Sequence, residues 1–122
     1  MLIEVDFNSG EAIYVQLCNQ IILGIATSVI REGDSLPSVR QLADMIGVNM
    51  HTVNKAYSVL KREGYISLDK RRGAVISLDI DKMEQLEEMR NQLRIVLARG
   101  CCKNISRQEV HNLVDEIFDD YE

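Results

Sequence analysis

One proline, two histidines and three cysteines in 122 residues already close off several classes of protein. Cys18, Cys101 and Cys102 are odd in number and lack CxxC spacing. Adjacent cysteines bridge only with backbone strain, and no neighbouring histidine completes a metal set, so no disulfide framework and no metal site are expected. Reduced thiols are the expectation, and nothing in the pattern singles out Cys101 and Cys102 for redox work. Histidine is confined to His51 and His111, no serine sits in a nucleophile elbow, and no paired carboxylates flank a recognisable cleft. Neither an enzyme nor a cofactor is therefore expected. No apolar run approaches the roughly 18 residues of a membrane span, and the opening MLIEVDFNSGE is acidic where a signal peptide would be basic. The cytoplasm, with no membrane partner, follows as the expected location.

What the chain does contain is an ordinary globular balance, 46% hydrophobic and 27% charged, with length for one domain or one small domain and an appendage. Its net charge of −5 argues at first sight against a nucleic-acid partner, but the distribution matters more than the total. Ser38 to Gly73 holds seven bases against three acids, a local +4, whereas Ile80 to Glu122 holds six bases against ten acids, a local −4. A basic segment followed by an acidic one suggests two jobs, and the expected division is residues 1–79 and 80–122.

The periodicity supports that division. Met1 to Asn8 alternates apolar and acidic residues and is expected to be extended. A first helix begins near Glu11, with Ile13 and Tyr14 at its start and Leu17, Ile21, Gly24, Ile25 and Ser28 recurring at helical spacing, and fades near Ser28 into a loop holding Arg31, Glu32, Gly33 and Asp34. Ser38 and Gln41 fit a capping box behind Pro37, so a second helix starts there and buries Val39, Leu42, Ala43 and Ile46. Gly47 suits a left-handed turn. Asn49 caps a third helix, Met50 to about Glu63, with Val53, Ala56, Tyr57 and Leu60 inward. Its first turns then expose Met50, His51, Thr52, Asn54, Lys55 and Ser58. Gly64 ends it; Tyr65 to Leu68 and Ala74 to Leu78 read as strands around a basic connection, Asp69 to Gly73. In the tail, Met83, Leu86, Met89 or Arg90, Leu93, Val96 and Leu97 recur on one helical face. Ser106 and Glu109 form a second capping box before Val110, Leu113, Val114, Ile117 and Phe118. This αα-hairpin cannot bury both apolar faces on itself; it needs the preceding domain or another chain.

Two short helices meeting at a turn, with a basic-tipped hairpin after them, are the parts of a helix-turn-helix with a wing. That architecture inserts one helix into the DNA major groove and lays the hairpin on the backbone. The segments LPSVRQLA, GVNMHTVNKAYSVLKREGYI and RRGAVIS resemble the GntR family of bacterial transcription regulators over roughly Ile13 to Ser77. The short all-helical tail is similar to the YtrA subfamily of that family, whose members dimerise through it. Larger branches carry a ligand-binding or aminotransferase-like domain, and neither is expected in the forty-odd residues of this tail.

The resemblance implies a mainly α fold with a small β-wing: a winged helix-turn-helix over residues 1–79, then a two-helix dimerisation hairpin over 80–122. It implies a homodimeric regulator, a repressor rather than an activator, on a pseudo-palindromic double-stranded operator. Control of its own operon and of transporter genes is part of the same implication. DNA contacts are expected from Ser38, Arg40, Asn49, Met50, His51, Thr52, Asn54 and Lys55, and from Lys70, Arg71, Arg72 and Gly73 in the wing. A guanidinium such as Arg40 can grip phosphate or guanine bidentately. Other GntR branches place arginines along the reading helix where this chain has Met50 and Asn54; asparagine could pair with adenine instead. The dimer seam is expected from Leu86, Met89, Leu93, Val96, Leu97, Val110, Leu113, Val114, Ile117 and Phe118. The acidic total and the few arginines on the reading helix motivate the alternative of a winged-helix protein-interaction module that does not bind DNA. No motif identifies an effector.

Overall fold

Both capping boxes are formed in the computed structural model, which describes residues 3–122. The Ser38 hydroxyl accepts from the Gln41 amide while the Gln41 side chain accepts from the Ser38 amide, and Ser106 and Glu109 repeat the exchange. Each box satisfies two amides that a helix start would otherwise leave unpaired. Helices α1 (Ile13–Ala26), α2 (Val39–Ile46) and α3 (Met50–Arg62) are followed by strands β1 (Ile66–Asp69) and β2 (Gly73–Ile76), then α4 (Lys82–Cys102) and α5 (Arg107–Tyr121). The chain forms two compact units, Met1–Asp79 and Ile80–Glu122. The extended conformation expected at Met1 and Leu2 lies outside the described residues.

In the first unit, Leu17, Ile21, Leu42, Val53, Leu60 and Ile76 are fully buried, each contributing on the order of 2 kcal/mol by leaving water. They come from α1, α2, α3 and β2, and buried Ile66 of β1 joins them, so one core ties every element of this unit together. Cys18 belongs to that core. Burial, reinforced by Glu63, pushes its thiol pKa up, and its Sγ donates to the Ala56 carbonyl at 3.4 Å. It is a packing residue with a protonated sulfur. Cys101 and Cys102 are exposed and free.

Helix α1 starts at Ile13 and ends at Ala26, two residues inside each expected boundary. Ser28 takes a left-handed conformation, φ 63°, which turns the chain back so that the Ile30 amide reaches the Gly24 carbonyl at 3.0 Å. The segment before α1 is held by side-chain amides. Gln16, itself buried, accepts from the Asp6 amide at 2.8 Å and donates to the carbonyls of Asp6 and Glu11, both at 3.0 Å. Gln20 pairs with both backbone groups of Glu4.

The hairpin is antiparallel, with Ile66 opposite Ile76 and Asp69 opposite Gly73. Its free edge is partly occupied: the Leu36 amide donates to the Ala74 carbonyl and the Ile76 amide to the Asp34 carbonyl, both at 2.8 Å. The loop expected between the first two helices therefore pairs with the wing along Ser35 and Val75.

Helices α3 and α4 end in the same way. The Tyr65 amide returns to the Leu60 carbonyl and the Ile105 amide to the Gly100 carbonyl, both at 2.9 Å, around left-handed Gly64 and Asn104. In the second unit Asp81 caps α4 by accepting from the Glu84 amide at 3.1 Å, and no residue of α4 or α5 is buried. The two helices present their apolar stripes to solvent.

Gly64 combines φ +82° with a Cβ position only 3.0 Å from the Asp79 Cβ. Gly64→Ala is expected to cost about 1–2 kcal/mol from the left-handed backbone alone; urea denaturation of the full chain measures it.

Candidate nucleic-acid interface

The geometry of α2 and α3 is set at their turn. Gly47 has φ 71° and ψ 37°, a left-handed conformation cheap only for glycine, and the amides of Gly47 and Val48 both return to the Ala43 carbonyl. Asn49 then caps α3, its side-chain oxygen accepting from the His51 amide at 2.7 Å. Because the carbonyl oxygen does the capping, the amide NH2 of Asn49 is left to point at an external acceptor.

Helix α3 divides into two faces. Val53, Ala56, Tyr57 and Leu60 are buried. Met50, His51, Asn54, Lys55 and Ser58 are exposed, as the periodicity implied, whereas Thr52, expected to be exposed, is half-buried. Tyr57 joins the faces to the rest of the motif: its hydroxyl donates to the Pro37 carbonyl at 2.7 Å, fixing the chain just before α2. Burial pushes the Tyr57 phenol up to about 12. It is a core residue, and no base could stack on it without opening the motif.

Arg40 lies in the first turn of α2, exposed and without a hydrogen bond or ion pair among the described residues. Ser38 is occupied by its capping box, although its hydroxyl proton is still available to an acceptor. Lys55 is only partly free. Its Nζ lies 4.1 Å from the centre of the Tyr14 ring, a cation–π contact that fastens α3 to the start of α1.

The wing tip is shaped by Asp69. Its Oδ1 accepts from the amides of Arg71 at 2.7 Å and Arg72 at 3.0 Å, and these bonds hold its carboxyl below the usual range, with a smaller contribution from the Arg72 charge. Gly73 closes the turn with φ +74°. Lys70, Arg71, Arg72 and Gly73 are all exposed, but their roles diverge. The Arg72 guanidinium donates to the Gly33 carbonyl and braces the tip against the loop before α2, whereas the Lys70 and Arg71 side chains have no partner among the described residues.

The site residues expected from the sequence thus fall into three groups within the first unit. Arg40 lies at the start of α2 and Asn49 to Asn54 at the start of α3; Lys70 and Arg71 project from the wing; Ser38, Lys55 and Arg72 are exposed but engaged. Tyr14 and Gly33, which engage Lys55 and Arg72, and the Pro37 carbonyl, which anchors Tyr57, were not foreseen as partners. Only the need of a buried tyrosine hydroxyl for an acceptor hinted at any of them. Chemically the surface offers cations and small hydrogen-bonding groups at a helix start, suited to phosphates and base edges. No cluster able to hold a metal ion occurs among the described residues, and no described helix is long and apolar enough to cross a membrane.

This arrangement is a winged helix-turn-helix, the class in which one helix reads DNA and a hairpin braces the backbone. Residues 10–76 match the family described as bacterial regulatory proteins, gntR family. The HTH-type transcriptional repressor YtrA of Bacillus subtilis (strain 168) is 34% identical over 98% of this chain and 94% of its own length. A solved structure from Listeria monocytogenes EGD-e, called a transcriptional antiterminator, superposes with TM-score 0.89 at 31% identity, covering 99% of this chain and 92% of its own. YtrA from Sulfolobus acidocaldarius, a GntR-family transcription factor, is 41% identical with TM-score 0.60, covering 97% of both chains. The chain belongs to the gntR family and is a YtrA-like, DNA-binding transcription regulator.

Tyr57→Phe is expected to cost about 1 kcal/mol through the lost bond to Pro37. Between pH 10 and about 12 the unfolded chain releases the Tyr57 proton that the folded chain retains, so wild-type stability falls across that window. Chemical denaturation at several pH values should show a shallower fall for Tyr57→Phe.

Proposed function

We propose that the protein is a homodimeric repressor acting in the cytoplasm on a pseudo-palindromic operator. Two chains join through the α4 and α5 stripes, including Leu86, Leu93, Leu97, Leu113 and Ile117, all of which stand exposed in the single chain. A two-fold dimer carries two copies of α3 and so calls for two inverted half-sites. The repressor assignment draws support from the similarity to the Bacillus subtilis repressor YtrA along nearly the whole chain. Control of the chain's own operon and of transporter genes belongs to the same reading.

The observation that carries the reading is the division of α3. Its buried stripe locks it onto α1 and α2, and its start leaves Asn49, Met50, His51 and Asn54 exposed and Thr52 half-exposed, while Arg40 stands exposed at the start of α2. These residues enter the major groove. Arg40 takes a phosphate or a guanine edge, and Asn54 is suited to adenine. Lys70 and Arg71 reach flanking phosphates or the minor groove. Ser38, Lys55 and Gly73 border this surface. Phosphate contacts supply much of the affinity, so binding weakens steeply as salt rises.

Arg40→Ala is expected to lower affinity for the DNA upstream of the chain's own gene several-fold or more without changing the oligomeric state. Gel-shift titration beside sedimentation measures both. Wild-type affinity in the variant contradicts the contact. If Arg40 meets a phosphate, the log–log salt slope also drops by about one; if it reads guanine, base preference relaxes at one position instead.

A further inference from the structure

The apolar stripes of α4 and α5 are bordered by charges of opposite sign. On α4 a shallow groove of roughly 390 Å³ is lined by Leu86, Met89, Arg90, Leu93, Arg94 and Leu97. Arg90 and Arg94 are four residues apart and form one edge of it. Arg90 makes only a 3.7 Å contact with Glu87 of its own helix, both side chains being about two-thirds exposed (64% and 66%), and Arg94 has no ion-pair partner among the described residues. On α5 the stripe through Leu113 and Ile117 is exposed (53% and 41%). Glu116 and Asp120 border it, again four residues apart and without ion pairs among the described residues. Over their whole lengths α4 carries net +1 and α5 net −4.

We infer that the groove on α4 receives α5 of a second copy of this chain, with Arg90 and Arg94 set against Glu116 of the partner subunit and Asp120 of the partner subunit. The inference rests on the homodimer proposed above and specifies which helix meets which. The chain's own α5 leaves the groove open, because the leucines of both stripes remain exposed within the single chain. Pairing each helix with its own image would set two arginine edges together, or two acidic edges, with the repulsion of like charges. Unlike pairing avoids this, and two-fold symmetry supplies the favourable contact twice. The equal spacing of the charges lets both ion pairs form at once. Ion pairs at an exposed rim add little affinity; their effect is to select the partner and its register.

Three full-length variants test the pairing by sedimentation. The first is Arg90→Glu with Arg94→Glu, the second Glu116→Arg with Asp120→Arg, and the third combines all four changes. Each of the first two alone is expected to weaken the homodimer about tenfold or more. Mixed together they form the heterodimer, and the fourfold variant dimerises again because each edge has exchanged its sign. That rescue also separates a lost pairing from a failure to fold, which circular dichroism monitors directly. Wild-type dimerisation by either double variant alone overturns the pairing, as does a fourfold variant that is fully helical but monomeric. A wild-type chain that stays monomeric at all concentrations overturns the homodimer itself, and the pairing with it.

Discussion

Helix α3 must be bound tightly on one side and left bare on the other, and the first unit is arranged around that constraint. Thirteen residues provide a stripe of four buried side chains. The stripe packs on α1 and α2 in a single core, and the Tyr57 hydroxyl reaches past it to the Pro37 carbonyl. The helix cannot rotate to bury its polar face without breaking that bond and exposing Leu60. What remains outward is therefore presented at a fixed angle, as a reading surface requires.

The wing works on the same principle with fewer parts. Two amides bound to Asp69 shape its tip, and the Arg72 guanidinium ties it to the Gly33 carbonyl. The pairing of Leu36 and Asp34 with β2 connects that hairpin to the residues leading into α2. A displacement of the wing would thus be felt at the start of α2, where Arg40 lies. The local excess of positive charge lies between Ser38 and Gly73, while the tail from Ile80 to Glu122 carries a net −4. An overall charge of −5 is compatible with DNA binding because the field that matters is the local one.

Most of the DNA-binding unit was legible because its signals are local. Ser38 and Gln41 lie three residues apart, Gly47 and Asn49 mark a turn, and the α3 stripe repeats at helical spacing; each can be read in a window of a few residues. The contacts that escaped are long-range. Lys55 meets Tyr14, Arg72 meets Gly33, and Gln16 and Gln20 hold the segment before α1. None follows from periodicity, since each depends on what the assembled fold brings together. For the same reason the sequence marked Lys55 and Arg72 as cations without revealing that both are engaged. In the tail, the two stripes were evident from spacing, but their opposed borders acquire meaning only once both are seen to be exposed.

The central claim is that α3 and the wing of two chains grip one DNA site. Hydroxyl-radical footprinting of the DNA upstream of the chain's own gene, at low salt, tests it most directly. Two protected patches related by inverted symmetry are expected, centred a whole number of helical turns apart, about 10 base pairs or a multiple of it, and lost as salt is raised. A single patch without symmetry, or protection that persists at high salt, would contradict it.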